Sequence, residues 1–564
     1  MTDENSSSAP WRKYYNDKAA GLNHAEAFPL TEFLDRAMRQ FPTARFLTFN
    51  GTSLSYEQTR ELVDRLAGGL AALGVEKGDR VGYMAPAHPA FSLTCFALWR
   101  LGAVEVGLNP LYAESKLIMM ANDSGLSAVI TLDSPDLTEK ASKLALAAPE
   151  IKTLILAPAT TCNPETPAEL PRQSGDIHTI SLHDVIARGE SAEKAPIDPA
   201  TDAAALQYTG GTTGAPKAAI LTHANLAINA QQMTSWYPAL QDGCEAMLAA
   251  APVTHVAGLG PMQNFMTSLA GELVWMSRFS PHAALDLIER HNVSVLIAPP
   301  TMYVAFLDAC RERRFDWSRI RVAQAGAAPV PTELKRRVFD ATGLWLTTLY
   351  GMTETSPATV YSTPLREQAD ATGIPLPLTE VQIRTLNNPA QIAASNESGE
   401  ICVKGPQVMA GYWHRPEETQ NSFVDGFFRT GDIGAMSEDG VITVRDRVKD
   451  VIIASGYNVY AADVEAAILE HPAVREAAVI GINDDYRGET VKAIISLSAD
   501  AALDLPTLQT FLKGRLSPIE MPKKLEIMDD IPKNENMKIS KLALRERETS
   551  LNAQVRQSRT VPLT

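Results

Sequence analysis

No two of the five cysteines (Cys95, Cys162, Cys244, Cys310 and Cys402) fall in a CxxC spacing. Odd in number and scattered, they exclude a disulfide framework and a cysteine-built zinc site, and they fit a reducing compartment. Basic residues are also in deficit: 51 Lys and Arg face 66 Asp and Glu, a net charge of −15. That balance lacks the basic footprint of a general nucleic-acid binder and favours solubility. No run of about 18 apolar residues occurs, so no membrane span is expected. The largely apolar stretch 89–99 is stopped by Arg100. The first residues, MTDENSSSAPWRKYY, carry no apolar run behind a basic start, and so no secretory signal. No internal repeat is visible. These absences point to a cytoplasmic protein and leave peripheral membrane contact and a homodimer open.

A chain of 564 residues exceeds one core, because domains usually hold roughly 100–200 residues. Apolar content of 45% and charged content of 21% are ordinary for a globular protein. Helical and strand patterns alternate, which predicts an α/β architecture. Leu30, Phe33, Leu34, Ala37, Met38 and Phe41 follow helical spacing. Ser55 and Gln58 form a capping box before Leu62, Val63, Leu66, Leu70 and Leu73, with Gly74 as a stop. Strand-like runs lie at 80–84, 128–132, 153–156 and 294–298, and 158–175 reads as a surface loop. The texture changes near Arg447. Beyond it, strand-like 451–454, helical 461–470, strand-like 477–482 and 493–497, and helical 505–516 suffice for a small α/β domain. The boundaries expected are 1–447 for a large multi-subdomain N-terminal part and 448–564 for a small mobile C-terminal part. Residues 546–564 are polar and expected to fray.

Residues 208–218 read YTGGTTGAPKA, with LTH at 221–223. Thr209, Thr212 and Thr213 offer hydroxyl donors, Lys217 adds a point charge, and Gly210, Gly211 and Gly214 let backbone approach a ligand. This is the chemistry of a polyphosphate cradle. It is not the common P-loop, since Pro216 precedes the lysine and Ala218 follows it, so no hydroxyl sits beside the lysine for magnesium. Taken alone it could also be a flexible surface turn.

Further strings accompany the loop: AGAAP at 325–329, YGMTETSP at 350–357, GEICVKG at 399–405, FRTGD at 428–432, DRVKD at 446–450, SGYNVY at 455–460 and PKNENMKISK at 532–541. Together and in this order they resemble the adenylate-forming superfamily of acyl-CoA synthetases, aryl-CoA ligases, luciferases and adenylation domains, over about residues 29–544. Gly210 within YTGGTTG, NPLY at 109–112, GPQVMAGYW at 405–413 and the early Pro10-Trp11 pair resemble bacterial long-chain fatty-acid–CoA ligases in particular.

The resemblance implies a two-step reaction. A carboxylate attacks the α-phosphate of ATP, pyrophosphate leaves, and a thiol then displaces AMP. Both steps build negative charge, which preorganised cations and donors stabilise. By resemblance, Thr209, Thr212, Thr213 and Lys217 hold the β- and γ-phosphates, Thr353 bonds the α-phosphate, and Glu354 holds Mg²⁺. Gly326, Ala327 and Ala328 lie against one adenine face, and Tyr350, leading Gly351 and Met352, covers the other. Asp432 accepts the ribose hydroxyls, which suits an acceptor-only carboxylate, and Arg447 reaches the ribose. Lys538 is the adenylation lysine. Met537 stands where relatives usually have glycine, and Ala218 is a second, milder departure. His255 would sit where acyl pocket and thiol path meet, and Gly258 and Gly260 would leave room for an apolar chain lined by Met302 and Phe306. Lys449 occupies a hinge position, and Ser455, Gly456 and Tyr457 lie along the path of coenzyme A. The implied activity is ATP- and Mg²⁺-dependent activation of a medium- or long-chain fatty acid and its transfer to CoA. An aromatic acid as substrate, a carrier protein as acyl acceptor, and a nucleotide binder without ligase activity stand as alternatives.

Overall fold

The structure is a computed structural model. It describes residues 9–163, 166–170, 177–209, 216–363, 371–454, 457–484, 488–498, 501–534 and 538–559, with side chains through 550. Two compact units emerge. The first comprises residues 1–381, 403–428 and 439–441, and the second 382–402, 429–438 and 442–564.

The first unit is built on two sheets. In the nine-stranded sheet, parallel pairings run from Arg45–Phe49 through Glu272–Trp275, Ala246–Ala249, Val295–Ala298 and Val322–Ala325 to Thr347–Gly351, and Ala358–Tyr361 joins antiparallel at one end. The eight-stranded sheet sets Ala203–Thr209 between Val104–Gly107, parallel, and Lys217–Thr222, antiparallel. Strands buried on both faces read as continuous apolar runs, as parallel sheets require.

Local sequence explains the helices that flank these sheets. Helix Thr31–Gln40 buries Phe33, Leu34 and Ala37 on one stripe. Helix Tyr56–Ala72 opens with both bonds of the expected capping box: Gln58 N donates to Ser55 Oγ at 3.2 Å and Ser55 N donates to Gln58 Oε1 at 2.9 Å. The apolar stretch before Arg100 is helix Ala90–Leu101, buried at every position and ended by Gly102 at φ +71°. Arg100 itself pairs with Asp64 at 2.9 Å. Hydrophobicity on all sides therefore marks a central core helix. Among the described residues no helix is long and apolar enough to cross a membrane.

The second unit contains a five-stranded sheet in which Val474–Asp484 and Gly488–Leu497 form a long antiparallel pair, bordered by Ile452–Ala454 and the parallel strand Lys524–Ile527. Helices Ala461–Leu469 and Leu505–Leu512 bury Val464, Ile468, Leu508 and Leu512 in its core. Of the tail expected to fray, residues 546–559 belong to the helix Lys541–Arg559 and 560–564 lie outside the described residues. Its first turns are tied down by ion pairs, Arg545–Asp450 at 2.8 Å, Arg547–Glu526 at 2.7 Å and Lys541–Glu465 at 2.9 Å, a cause that polarity alone does not reveal.

Candidate active site

In the first unit the phosphate-type loop is a hairpin whose stem is described and whose tip, with Gly210, Gly211, Thr212, Thr213 and Gly214, lies outside the described residues. Thr209 pairs with Lys217 and Tyr208 with Ala218 across the stem. The stem is anchored from below: Tyr208 donates its hydroxyl to Asp123 at 2.8 Å, and Arg415 pairs with the other Asp123 oxygen at 2.9 Å. Two residues before the end of the strand Ala203–Thr209, Gln207 donates to Glu105 at 3.0 Å.

Lys217 is brought to the YGMTETSP segment by an aromatic bridge. Its ammonium stands 5.4 Å from the Tyr412 ring, and the Tyr412 hydroxyl donates to Glu354 Oε1 at 2.8 Å. Glu354 rides on the one-turn 3-10 helix Thr353–Thr355. That turn is locked by Thr355, whose hydroxyl accepts from Met352 N at 3.1 Å and donates to Pro357 O at 2.8 Å. The close approach explains Gly351: a Cβ there would stand 1.7 Å from Pro357 O. Thr353, Tyr350 and Met352 are all half-buried, with surface left for a ligand. Gly326 is buried, Ala327 is exposed, and Ala328 is half-exposed; Ala327 adopts φ +65°, which turns the backbone at the head of the sheet.

His255 is half-buried and accepts from Ala257 N at 3.2 Å through Nδ1. It precedes a π-helical turn, Gly258–Asn264. At Gly258 and Gly260, expected to leave room for an acyl chain, the Cβ direction faces protein. A Cβ on Gly258 would meet Val253 Cα at 2.6 Å, and one on Gly260 would meet Pro357 Cδ at 2.5 Å, so protein already fills both spaces. Met302 and Phe306 are both buried. They belong to a core on the other face of the sheet, where Phe306 packs on Phe279 at 5.5 Å and Trp317 at 5.8 Å between ring centroids.

In the second unit four of the expected residues converge. Asp432 is buried on strand Phe427–Met436, opposite Arg447 on strand Ile442–Arg447, and the Arg447 guanidinium pairs with it at 3.1 Å. Asp446 accepts from Arg447 N at 2.7 Å and Ala462 N at 3.0 Å, fixing the chain just before Lys449. Desolvation first, and then the positive charge of Arg447, hold the Lys449 ammonium down to about 8; Asp450 and Asp432 oppose them, and Arg545 adds to the depression. Lys538 feels the same pair. Its ammonium lies below the ordinary 10.5 because of desolvation and then Arg447, with Asp432 acting the other way, although the residue as a whole keeps an exposed surface. Lys538 is positioned by a short loop closure, its amide donating to Asn534 Oδ1 at 3.0 Å and its carbonyl accepting from Asn534 N at 2.7 Å. Tyr457 is exposed on strand Tyr457–Val459, while Ser455, Gly456 and Met537 lie outside the described residues.

Among the described residues no cluster of three or more His, Cys, Asp or Glu could hold a metal by itself. A single half-buried carboxylate, Glu354, fits the way Mg²⁺ is usually held, by one or two carboxylates with water and substrate phosphates. Tyr412, which bonds Glu354, and Asp123, which bonds Tyr208, were not singled out from the sequence. Tyr412 stands inside the GPQVMAGYW string and could have been found there; Asp123 carries no sequence signal.

The family described as AMP-binding enzyme matches residues 34–413, and its C-terminal domain family matches 463–538. A long-chain-fatty-acid–CoA ligase of Bacillus subtilis is 35% identical over 562 residues, 96% of this chain and 99% of that one. A feruloyl-CoA synthase of an Amycolatopsis species is also 35% identical, over 91% of this chain and 97% of that one. The crystal structure of ATP-bound MatB from Rhodopseudomonas palustris superposes with a TM-score of 0.80 at 29% identity, covering 92% of this chain and 98% of that one. With residues 34–413 and 463–538 matched and relatives of 35% identity covered almost end to end, the chain belongs to the AMP-binding enzyme family and is an AMP-forming acid–thiol ligase that uses ATP and CoA.

Proposed function

We propose that the acid is a medium- or long-chain aliphatic carboxylate. The observation that supports this best is the near end-to-end similarity to a long-chain-fatty-acid–CoA ligase, 99% of which is covered. The reading of residue roles is supported by the convergence of Asp432, Arg447 and Lys538 in one unit. In the first half-reaction a carboxylate oxygen bonds to the α-phosphorus and the bond to pyrophosphate breaks. The Lys538 ammonium neutralises charge between carboxylate oxygen and α-phosphate, Thr353 donates to the α-phosphate, and Thr209, Thr212, Thr213 and Lys217 hold the outgoing phosphates. Asp432 accepts from the ribose diol with Arg447 beside it, while Gly326, Ala327, Ala328 and Tyr350 sandwich the adenine. Glu354 would hold Mg²⁺, which when bound draws charge off the phosphates. In the second half-reaction the thiol of CoA loses its proton, its sulfur bonds to the acyl carbon, and AMP leaves. His255, Ser455, Gly456 and Tyr457 line that approach, and Lys449 is the hinge.

A second reading, an aromatic acid, is supported by the equal identity to a feruloyl-CoA synthase. AMP release measured with hexanoate, decanoate, palmitate and coumarate, with and without CoA, separates the two. Preference for decanoate or palmitate is expected. Preference for coumarate would replace the aliphatic reading, and acid-dependent pyrophosphate exchange without CoA consumption would point to a carrier protein instead.

A further inference from the structure

Of the strings visible in the sequence, GPQVMAGYW at 405–413 carries none of the roles assigned above, yet it touches the site twice. Met409 N donates to the Glu354 carbonyl at 2.8 Å, and the Tyr412 hydroxyl donates to Glu354 Oε1, also at 2.8 Å. One string thus fixes both the backbone and the carboxylate of the residue assigned to Mg²⁺. The same side chain takes the Lys217 ammonium, 5.4 Å from the centre of its ring and within cation–π range. A cation of the cradle and the carboxylate of the Thr353–Thr355 turn therefore share one tyrosine, the first at the ring and the second at the hydroxyl.

The tyrosine is itself held by the strand that bears Lys217. Gly411–Tyr412 pairs antiparallel with Lys217–Thr222, Tyr412 opposite Ala219 and Gly411 opposite Ile220. Ala410 N donates to Ile220 O at 3.0 Å and Trp413 N to Ala218 O at 2.8 Å, so the contact continues past both ends. Lys217 stands two residues from Ala219 and so on the same face, where diagonal neighbours reach one another. Tyr412 N donates to Thr419 Oγ1 at 2.8 Å. Gly411, at φ +150°, permits that approach, since a Cβ there would stand 2.8 Å from Thr419 Cγ2. Beyond the strand, the Trp413 indole donates to Asp123 O at 3.1 Å, and Arg415 pairs with the same Asp123 that holds Tyr208.

A carboxylate turns about its last bond, and a donor on one oxygen fixes where the other points. A phenol supplies that donor without charge. Lysine or arginine in its place would pair with Glu354 and cancel the charge a metal needs. Lys217 and Glu354 drawn directly together would cancel each other, leaving neither for phosphate nor for metal. We infer that Tyr412 is a positioning residue of the adenylation step: its hydroxyl sets the Glu354 carboxylate that would hold Mg²⁺, and its ring keeps Lys217 clear of that carboxylate. The inference rests on the reading above that Glu354 takes the metal and Lys217 the outgoing phosphates.

Calorimetric titration of ATP into the full chain, once with EDTA and once with excess Mg²⁺, tests it without turnover. The wild type is expected to bind ATP more tightly with Mg²⁺, and Glu354→Gln to lose that gain. Tyr412→Phe, which keeps the ring, should cut the gain by about tenfold, as for other groups behind a metal ligand, and leave the metal-free Kd in place. In the Glu354→Gln background it should add nothing. Tyr412→Leu, which removes the ring as well, should also weaken metal-free binding by about two- to fivefold. Urea midpoints verify that each variant is folded. In turnover, Tyr412→Phe should need more Mg²⁺ for half-maximal AMP release while the KM for the acid holds. A full gain in Tyr412→Phe beside a lost gain in Glu354→Gln overturns the inference and leaves the metal reading standing. A loss of equal size with and without the Glu354 carboxylate overturns it too, because the phenol would then act by another route. Unchanged metal-free binding in Tyr412→Leu refutes the role of the ring. A full gain in Glu354→Gln refutes the metal reading itself, and the inference with it.

Discussion

Replacing Glu105 by glutamine isolates one proton whose position the fold dictates. Glu105 is fully buried on strand Val104–Gly107, beside Tyr83 and Cys95, which are equally buried. One carboxyl oxygen accepts from Gln207 and the other has no protein partner. Burial raises its pKa from 4.5 to about 8, opposed only by the Gln207 bond. The unfolded chain ionises this group near 4.5, so between that value and about 8 the native state holds one proton more than the unfolded state. Stability from this group is therefore complete below pH 4.5 and is lost as pH rises to about 8. At 1.36 kcal/mol per unit, the span amounts to up to about 5 kcal/mol. Glutamine cannot ionise and keeps an oxygen for Gln207, while its new amide protons cost about 1–3 kcal/mol if they find no acceptor. The expected result is that Glu105→Gln is equal to or less stable than wild type near pH 5 and more stable near pH 8. Urea unfolding at several pH values, read by tryptophan fluorescence, measures this in the correct unit, because all 7 tryptophans belong to the first unit. Parallel pH profiles for the two proteins would refute the assignment of a buried, neutral Glu105.

Three further outcomes are expected. Lys538→Ala should lower acid-dependent pyrophosphate exchange by about 10²–10³-fold, while added acyl adenylate still reacts with CoA; equal loss of both half-reactions would contradict the assigned role. Asp432→Asn should raise the KM for ATP by about 10–100-fold, as expected for losing charge-assisted bonds, and leave the KM for the acid in place. Because Asp432 holds the Lys538 ammonium up against Arg447, the alkaline limb of adenylation, where the lysine loses its proton, should also move to lower pH in that variant; an unmoved limb would refute the coupling. Gly351→Ala should destabilise the first unit by more than about 2 kcal/mol and weaken ATP binding, since its Cβ would fall 1.7 Å from a backbone oxygen that cannot retreat without breaking the Thr353–Thr355 turn; an unchanged urea midpoint would argue against it.

Local signals were legible wherever one element could satisfy its own needs. Ser55 and Gln58 cap a helix through four consecutive residues, so no distant contact is needed to recognise the motif. Strand Arg80–Met84 has the bounds its apolar run suggested. The motif order pointed to the family because each string is contiguous and needs no distant contact to be recognised. Which core a side chain joins was not legible. Met302 and Phe306 are chemically suited to an acyl chain, but which face of a sheet a helix covers depends on the strands beneath it. Gly258 and Gly260 leave space in sequence, and Val253 and Pro357, the latter almost a hundred residues away, take it. The helix Lys541–Arg559 was hidden for the same reason, as its partners Asp450, Glu465 and Glu526 lie elsewhere in the chain.

The sequence by itself determined the family and with it the reaction type, since the strings at 208–218, 350–357, 428–432, 446–450 and 532–541 are short, contiguous and stand in the family's order. Only the tertiary structure decided which buried groups lack partners, as Glu105 shows with one oxygen bonded by Gln207 and the other bonded by no protein group. The physical reason is that desolvation is a property of every atom surrounding a group, and those atoms come from segments hundreds of residues apart.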